Sequence, residues 1–85
     1  MQLKAIVFRT NRLKETRFFF ETVLEMKVKE CSLTHFVIHA GDIRILFVET
    51  NTDSEVEWYC SKKTGGGITL LKDPNQIKII IVQEK

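Results

Sequence analysis

His35 and His39 are the residues in this sequence with the clearest capacity for chemistry. An imidazole titrates near neutral pH, so it can serve as a general base or bind a metal. Residues four apart on a strand point the same way, but two histidines bind one metal most simply from adjacent turns of a helix. No Glu or Cys accompanies the pair at ligand spacing. The pattern favours surface or edge histidines, with His35 as the general base if the protein is a catalyst.

Three further groups of residues resemble reactive or phosphate-binding motifs, and each fits a structural role better. Cys31 and Cys60 form no CxxC motif, so both are predicted to be reduced thiols packed as small apolar side chains. Gly65–Gly67 is followed by neither Lys-Ser/Thr nor a helix, which indicates a hinge or bulge rather than a phosphate loop. Lys62 and Lys63 are adjacent and are typical of a solvated loop.

Length and composition describe one small domain, residues 1–85. The 44% hydrophobic and 28% charged residues are typical of a folded globule, although a chain this short has a thin core that a partner chain could complete. Lys and Arg total 13 and Asp and Glu total 11, for a net charge of +2. No basic stretch interleaved with aromatic residues is present in the sequence, so we expect no nucleic-acid partner.

The sequence also indicates where the protein works. The longest aliphatic runs, such as 45–48 and 79–82, are too short to span a membrane. Lys4 and Arg9 follow the first residue too closely for a signal peptide. We therefore expect a cytoplasmic protein with no membrane partner.

The first half of the chain has the pattern of a βαβββ module. Leu3–Thr10 is β-branched and aromatic and predicts a strand, and Thr10 and Asn11 are good caps for a helix that ends near Glu25 or Met26. Phe18 falls opposite the apolar stripe of that helix. The stripe consists of Leu13, Thr16, Phe19, Phe20, Val23 and Leu24.

Short strands follow the helix. Segments 27–32, 34–40 and 42–50 are predicted strands, and Gly41 indicates a hairpin between the last two. Residues 51–67 are predicted to be an irregular connector in which 57–61 fits a short strand, and residues 68–85 a C-terminal β-hairpin. The predicted fold class is α/β (α+β), with one complete module over residues 1–50 and a hairpin.

One stretch of sequence is echoed later in the chain. Ile43–Val48 aligns with Ile77–Val82: both are aliphatic or aromatic at matching positions and basic at the second place. The echo predicts two similar strands related by a pseudo-two-fold axis, the second without a helix of its own.

These motifs resemble the vicinal-oxygen-chelate superfamily, which includes glyoxalase I, bleomycin-resistance proteins and extradiol dioxygenases. The family has the motifs "D-L", "F-Y-x-x-x-L-G-F" and "D-P-D-G", and this chain has similar residues in the same order. They are Arg12-Leu13, Phe19-Phe20, Leu24-Glu25-Met26, Asp73-Pro74 and Asn75-Gln76. The resemblance covers residues 1–50 and 65–85. It implies a truncated glyoxalase-like fold, in which the first strand and helix of the second module are missing.

The resemblance also implies where a metal would bind. The family's metalloenzymes hold a divalent ion in a cupped sheet on ligands from four strands. Three of those positions correspond here to Ala5, Leu46 and Ile80, and the fourth belongs to the missing stretch. Aliphatic side chains cannot ligate a metal. We therefore predict no metal and no cofactor.

Alternation along the strands assigns side chains to the cup. Its predicted lining is Ala5, Val7, Arg9, Arg44, Leu46, Val48, Lys78, Ile80 and Val82, whereas Ile6, Phe8, Ile45, Phe47, Ile79 and Ile81 face the helix. The predicted ligand-binding residues are Arg9, Arg44, Leu46, Lys78 and Ile80. An aliphatic floor with basic groups at its edges suits an apolar anionic small molecule, and it suits a protein interface equally well.

Three functions are compatible with the sequence. The favoured one is a metal-free protein that binds a small ligand or a protein as a homodimer, as in the bleomycin-resistance branch, with Phe18 at or near a contact. The second is a glyoxalase-type lyase or isomerase with unrecognised ligands, and metal analysis would separate it from the first. The third is an interaction module without a ligand.

Overall fold

The computed structural model describes residues 1–63 and 65–84. Thr64 and Lys85, which belong to the predicted connector and hairpin, lie outside the described residues. The elements in chain order are β1 (Gln2–Thr10), α1 (Leu13–Phe18), β2 (His35–Ala40), β3 (Ile43–Glu49), β4 (Glu55–Lys62), β5 (Gly67–Lys72) and β6 (Lys78–Gln83). The described residues form an α+β fold, so the predicted fold class is confirmed.

The strands form one mixed sheet built from two similar halves. Its order is β2-β3-β1-β4-β6-β5. In the first half β1 pairs parallel with β3, which pairs antiparallel with β2. In the second half β4 pairs parallel with β6, which pairs antiparallel with β5. The halves meet at the antiparallel β1–β4 pair. This is the pseudo-two-fold arrangement that the sequence echo predicts.

Two predicted segments differ in the structure. The 51–67 connector contains a full strand, β4, which pairs with both β1 and β6 and therefore supplies the first strand of the second module. Conversely, the predicted strand over residues 27–32 is reduced to an isolated bridge between Lys29 and Val37. Apart from Val28, which packs against the core, the rest of that segment is exposed, so pairing gains little further apolar burial there.

The helical segment is shorter and less regular than its periodicity predicts. After Phe18 it continues as a π-helical turn (Phe19–Val23), in which the Leu24 N–H donates to the Phe19 carbonyl at 3.0 Å. Glu25 then adopts φ +54°, which ends the segment where the sequence places its end. Within the described residues, no helix has the length and apolar character needed to cross a membrane.

A cluster of aromatic rings joins the helix to the first half of the sheet. Phe47 stacks on Phe36 with ring centroids 4.6 Å apart and on Phe8 at 5.3 Å, and Phe20 packs on it from the helical segment at 5.0 Å. Leu13 is buried in the same core. Within the predicted stripe, Phe19, Val23 and Leu24 remain largely exposed, and Phe18 is 62% exposed as its opposite position predicts.

Among the residues that the structure describes, the second half of the sheet has no equivalent helix. Only residues 63–66 connect β4 to β5, which is too few for a helix that crosses back over the sheet. Trp58 and Leu71, which lie on the uncovered face, are therefore substantially exposed. The C-terminal hairpin is present, and its turn is held by the Asp73 side chain, which accepts hydrogen bonds from the N–H groups of Asn75 and Ile77, both at 2.8 Å.

Candidate functional site

The face of the sheet opposite the helix is the candidate site. Strand register places Val7 between Leu46 and Glu57, and places Tyr59 beside Ile80. Side chains directly opposite one another in adjacent strands share a face. The register therefore brings together the nine residues that alternation assigns to the cup, and it adds residues from β2, β4 and β5.

An ion pair lies at the centre of this face. Arg9 Nε donates to Glu57 Oε1 at 2.6 Å, and Tyr59 Oη donates to Glu57 Oε2 at 3.4 Å. Glu57 is one of the few buried polar residues, at 8% exposure. The hydrogen bond to Glu57, followed by the Glu57 charge, raises the pKa of Arg9. Burial, followed by the charge of Glu57, raises the pKa of Tyr59.

All three basic groups predicted to bind an anion contact a carboxylate. Besides the Arg9 pair, Arg44 lies 2.8 Å from Glu30, and Lys78 Nζ lies 3.4 Å from Glu55. These last two pairs are solvent-exposed, and such pairs contribute about 0–1 kcal/mol. A bound anion could therefore displace the carboxylate at either site at little cost, whereas the partly buried Arg9–Glu57 pair would resist displacement.

The structure divides the predicted ligand-binding residues between two grooves. A groove of about 430 Å³ over the second half contains Lys78 and Ile80 together with Glu57, Leu70, Leu71, Lys72 and Ile79. A second groove of about 320 Å³ over the first half contains Arg44 and Leu46 with Glu30, Thr34, His35, Val37 and Val48. Arg9 lines neither. Arg44 is paired with Ala5 of β1, and Val48 is paired with Arg9. Ala5 and Arg9 are about 13 Å apart along β1, so Arg9 lies about that far from the position beside Arg44.

The register places both histidines on the cup side of β2, and His35 lines the second groove. His35 Nδ1 lies 2.8 Å from Ser32 Oγ, in the turn that leads into β2, and His39 is exposed. Both cysteines are free thiols; Cys60 is buried as predicted, but Cys31 is exposed, so its predicted packing is wrong. Cys31 lies in the segment where the predicted 27–32 strand is reduced to a single bridge.

The cup face does not present a metal site of the family type. In the first half of the sheet Ala5 pairs with Arg44, and in the second half Glu57 pairs with Lys78. Lys78 is therefore equivalent to Arg44, and Glu57 is equivalent to Ala5. Glu57 on β4 is thus the fourth position. The prediction that this position is absent from the chain is wrong. A single carboxylate already paired with Arg9, beside Leu46 and Ile80, does not fit a divalent ion. Among the described residues no three His, Cys, Asp or Glu side chains are grouped to hold one.

Titration of Tyr59 tests the centre of this face. Because its pKa is raised above 10.0 in the folded state, the phenol contributes stability below pH 10 that is lost as the pH rises through the folded-state pKa. The chain has one tyrosine, so phenolate absorbance follows it directly. We expect a midpoint above 10.0 that falls in Glu57→Gln but stays above 10.0, since burial remains. A midpoint unchanged by Glu57→Gln would contradict the contact.

Three groups at this site were not predicted from the sequence: Glu57, Tyr59 and the β5 side chains. The signal that could have found the first two is the alternation Glu55, Glu57, Tyr59, which puts them on one face once the segment is accepted as a strand. The polar loop before it obscured that assignment.

The fold has counterparts among solved structures, although no family model matches the sequence and no curated protein matches it. The chain is similar to the crystal structure of an NAD-dependent benzaldehyde dehydrogenase from Legionella pneumophila, with TM-score 0.60, 12% identity, and coverage of 95% of this chain and 98% of that chain. It is also similar to a "putative glyoxalase" from Bacillus halodurans, with TM-score 0.51, 14% identity, and coverage of 95% and 94%. The protein therefore has a glyoxalase-like fold.

Proposed function

We propose that this protein is a metal-free binding protein that sequesters an apolar molecule bearing an anionic group and acts as a homodimer, as in the bleomycin-resistance branch of the superfamily. The observation that carries the proposal is the groove over β4, β6 and β5, with an apolar floor and two lysines. The aliphatic residues at three of the family's four metal-ligand positions support binding over metal-dependent catalysis.

The groove has the chemistry that such a ligand requires. Leu70 and Ile80 are paired in register and form its floor, and Lys72 and Lys78 are paired at one end. In the described part of the chain, no carboxylate lies within ion-pair distance of Lys72, and the only such contact of Lys78 is the exposed one to Glu55. Two ammonium groups side by side repel each other, and a shared anion relieves that repulsion.

The names of the two similar proteins suggest other activities, which the site supports less well. The name glyoxalase is compatible with a lyase or isomerase, but Glu57 is the only carboxylate among the four corresponding positions, and it is paired with Arg9. The name of the dehydrogenase includes NAD, and dinucleotide sites use a glycine-rich turn that opens a helix. Here Gly67 begins strand β5.

A pair of fluorescent probes tests the proposal. 8-Anilinonaphthalene-1-sulfonate has an apolar body and one sulfonate, and N-phenyl-1-naphthylamine has the same body without the charge. We expect the sulfonate probe to bind the wild type at one site per chain. In Lys72→Met/Lys78→Met its Kd should rise about tenfold, because two exposed charge contacts at about 0.5–1 kcal/mol each sum to roughly the 1.4 kcal/mol of a tenfold change.

Two controls make this result specific. Binding of the uncharged probe should change less than twofold in the same variant. Lys62→Met/Lys63→Met removes the same net charge from exposed lysines outside the groove, so it should leave the Kd of the sulfonate probe unchanged. Equal weakening in both lysine pairs would indicate general electrostatic attraction and would contradict a ligand site in this groove.

A further inference from the structure

Strand β5 (Gly67–Lys72) ends the sheet on one side, and its outer edge is open. Ile68 is 69% exposed and Leu70 is 71% exposed. Gly67–Leu71 carries no charge, no proline and no bulge within its pairing to β6. Natural edge strands use charges, prolines and bulges to prevent pairing with another chain, and β5 has none of these before Lys72.

The opposite edge of the sheet is protected. Main-chain hydrogen bonds join Lys29 to Val37 of β2 in both directions, at 2.7 and 2.8 Å. The remnant of the 27–32 strand therefore covers β2. Among the described residues, β5 has no equivalent on its outer side, because the chain passes from β4 to β5 through residues 63–66 alone.

We propose that β5 pairs antiparallel with β5 of a second copy across a two-fold axis. This inference rests on the homodimer of the proposed function and names its interface. Side chains directly opposite one another in a sheet share a face, so each even-numbered residue of β5 must pair with an even-numbered residue of the partner's β5. The register that does this places Ile68 opposite the partner's Leu70 and Thr69 opposite the partner's Thr69.

Charge favours the same register. Lys72 then lies opposite Gly66 of the partner subunit, and the two Lys72 residues are about 20 Å apart, at the ends of the paired strands. The uncharged residues fill the middle, where they cover one another. Pairing also extends the groove, since Leu70 lines it and would lie beside the partner's Ile68. Each ligand site thus gains a wall from the partner copy.

Sedimentation equilibrium at micromolar concentration tests the interface. The wild type should have twice the chain mass of 9.9 kDa. Ile68→Lys should reduce the mass to 9.9 kDa, because it places a charge in the interface while the side chain remains exposed in the monomer. Leu33→Lys is the matched control: Leu33 is 90% exposed and remote from β5, so this variant should stay dimeric.

Cross-linking tests the register. Thr69→Cys in a Cys31→Ser background should form a disulfide dimer on oxidation, and wild-type protein, with Cys31 exposed, should not. A wild-type monomer, or a dimer that survives Ile68→Lys and is lost in Phe18→Lys, would overturn the inference. Because Ile68 does not line the groove, sulfonate-probe binding by a monomeric wild type would overturn this interface and leave the proposed ligand site intact.

Discussion

Replacing Phe47 with alanine should lower the free energy of unfolding by about 3–5 kcal/mol, the range for removing a buried phenylalanine. Phe47 is 4% exposed, and its ring contacts those of Phe8, Phe20 and Phe36. It therefore connects β1 and β2 to the helical segment. Because this domain has few fully buried side chains, other core residues cannot move in to fill the cavity that the substitution leaves. Urea denaturation followed by circular dichroism at one fixed protein concentration measures the change.

Phe18 provides the matched control for this substitution. It is the same residue type, but it lies on α1 and is 62% exposed, so Phe18→Ala should change the free energy of unfolding by less than about 0.5 kcal/mol. If Phe47→Ala is too unstable to measure, Phe47→Leu should still cost about 1 kcal/mol. Equal effects of Phe47→Ala and Phe18→Ala would show that the aromatic cluster is not the core.

Arg9→Met should lower the free energy of unfolding by about 2–3 kcal/mol. Breaking a buried ion pair leaves an uncompensated charge and costs about 3–5 kcal/mol, and the 40% exposure of the Arg9 side chain allows water to replace part of the lost contact. Glu57→Gln should cost about 1 kcal/mol, since the amide oxygen still accepts from Arg9. The double variant Arg9→Met/Glu57→Gln should be more stable than Arg9→Met, because no charge is then left unpaired.

The chain contains a second ion pair with the same geometry and different burial. Arg17 Nε and Glu21 Oε1 are also 2.6 Å apart, but their side chains are 43% and 39% exposed, whereas that of Glu57 is 10% exposed. Arg17→Met should therefore cost less than about 0.5 kcal/mol. If the two arginine variants were equally destabilised, burial of Glu57 would not explain the effect.

Much of the fold could be predicted because buried strands and turns have local signatures. The alternation in β1 and β3 assigned the cup face, and Gly41, at φ +61°, marked the β2–β3 hairpin. The echo between residues 43–48 and 77–82 predicted that β3 and β6 occupy equivalent places, which the parallel pairs with β1 and β4 confirm. Each of these signals depends on a few neighbouring residues.

The segments flanking that pattern were predicted less accurately because their pairing depends on distant residues. Residues 27–32 have strand propensity, yet they form one bridge, since β2 already buries Val37 against β3 and little apolar surface remains to gain. Residues 55–62 follow a polar loop and carry two glutamates, yet they form the strand that joins both halves of the sheet. Tertiary pairing outweighed local propensity in both segments.

The candidate site shows the same division. By itself the sequence determined that nine side chains of β1, β3 and β6 share the cup face and that Ala5, Leu46 and Ile80 cannot bind a metal, because strand alternation and side-chain chemistry are local properties. Only the tertiary structure decided that Arg9 pairs with Glu57, that Lys78 and Arg44 lie in separate grooves, and that β5 is an open edge. Those facts depend on which strands are neighbours, and strand order is set by long-range pairing that a linear pattern does not encode.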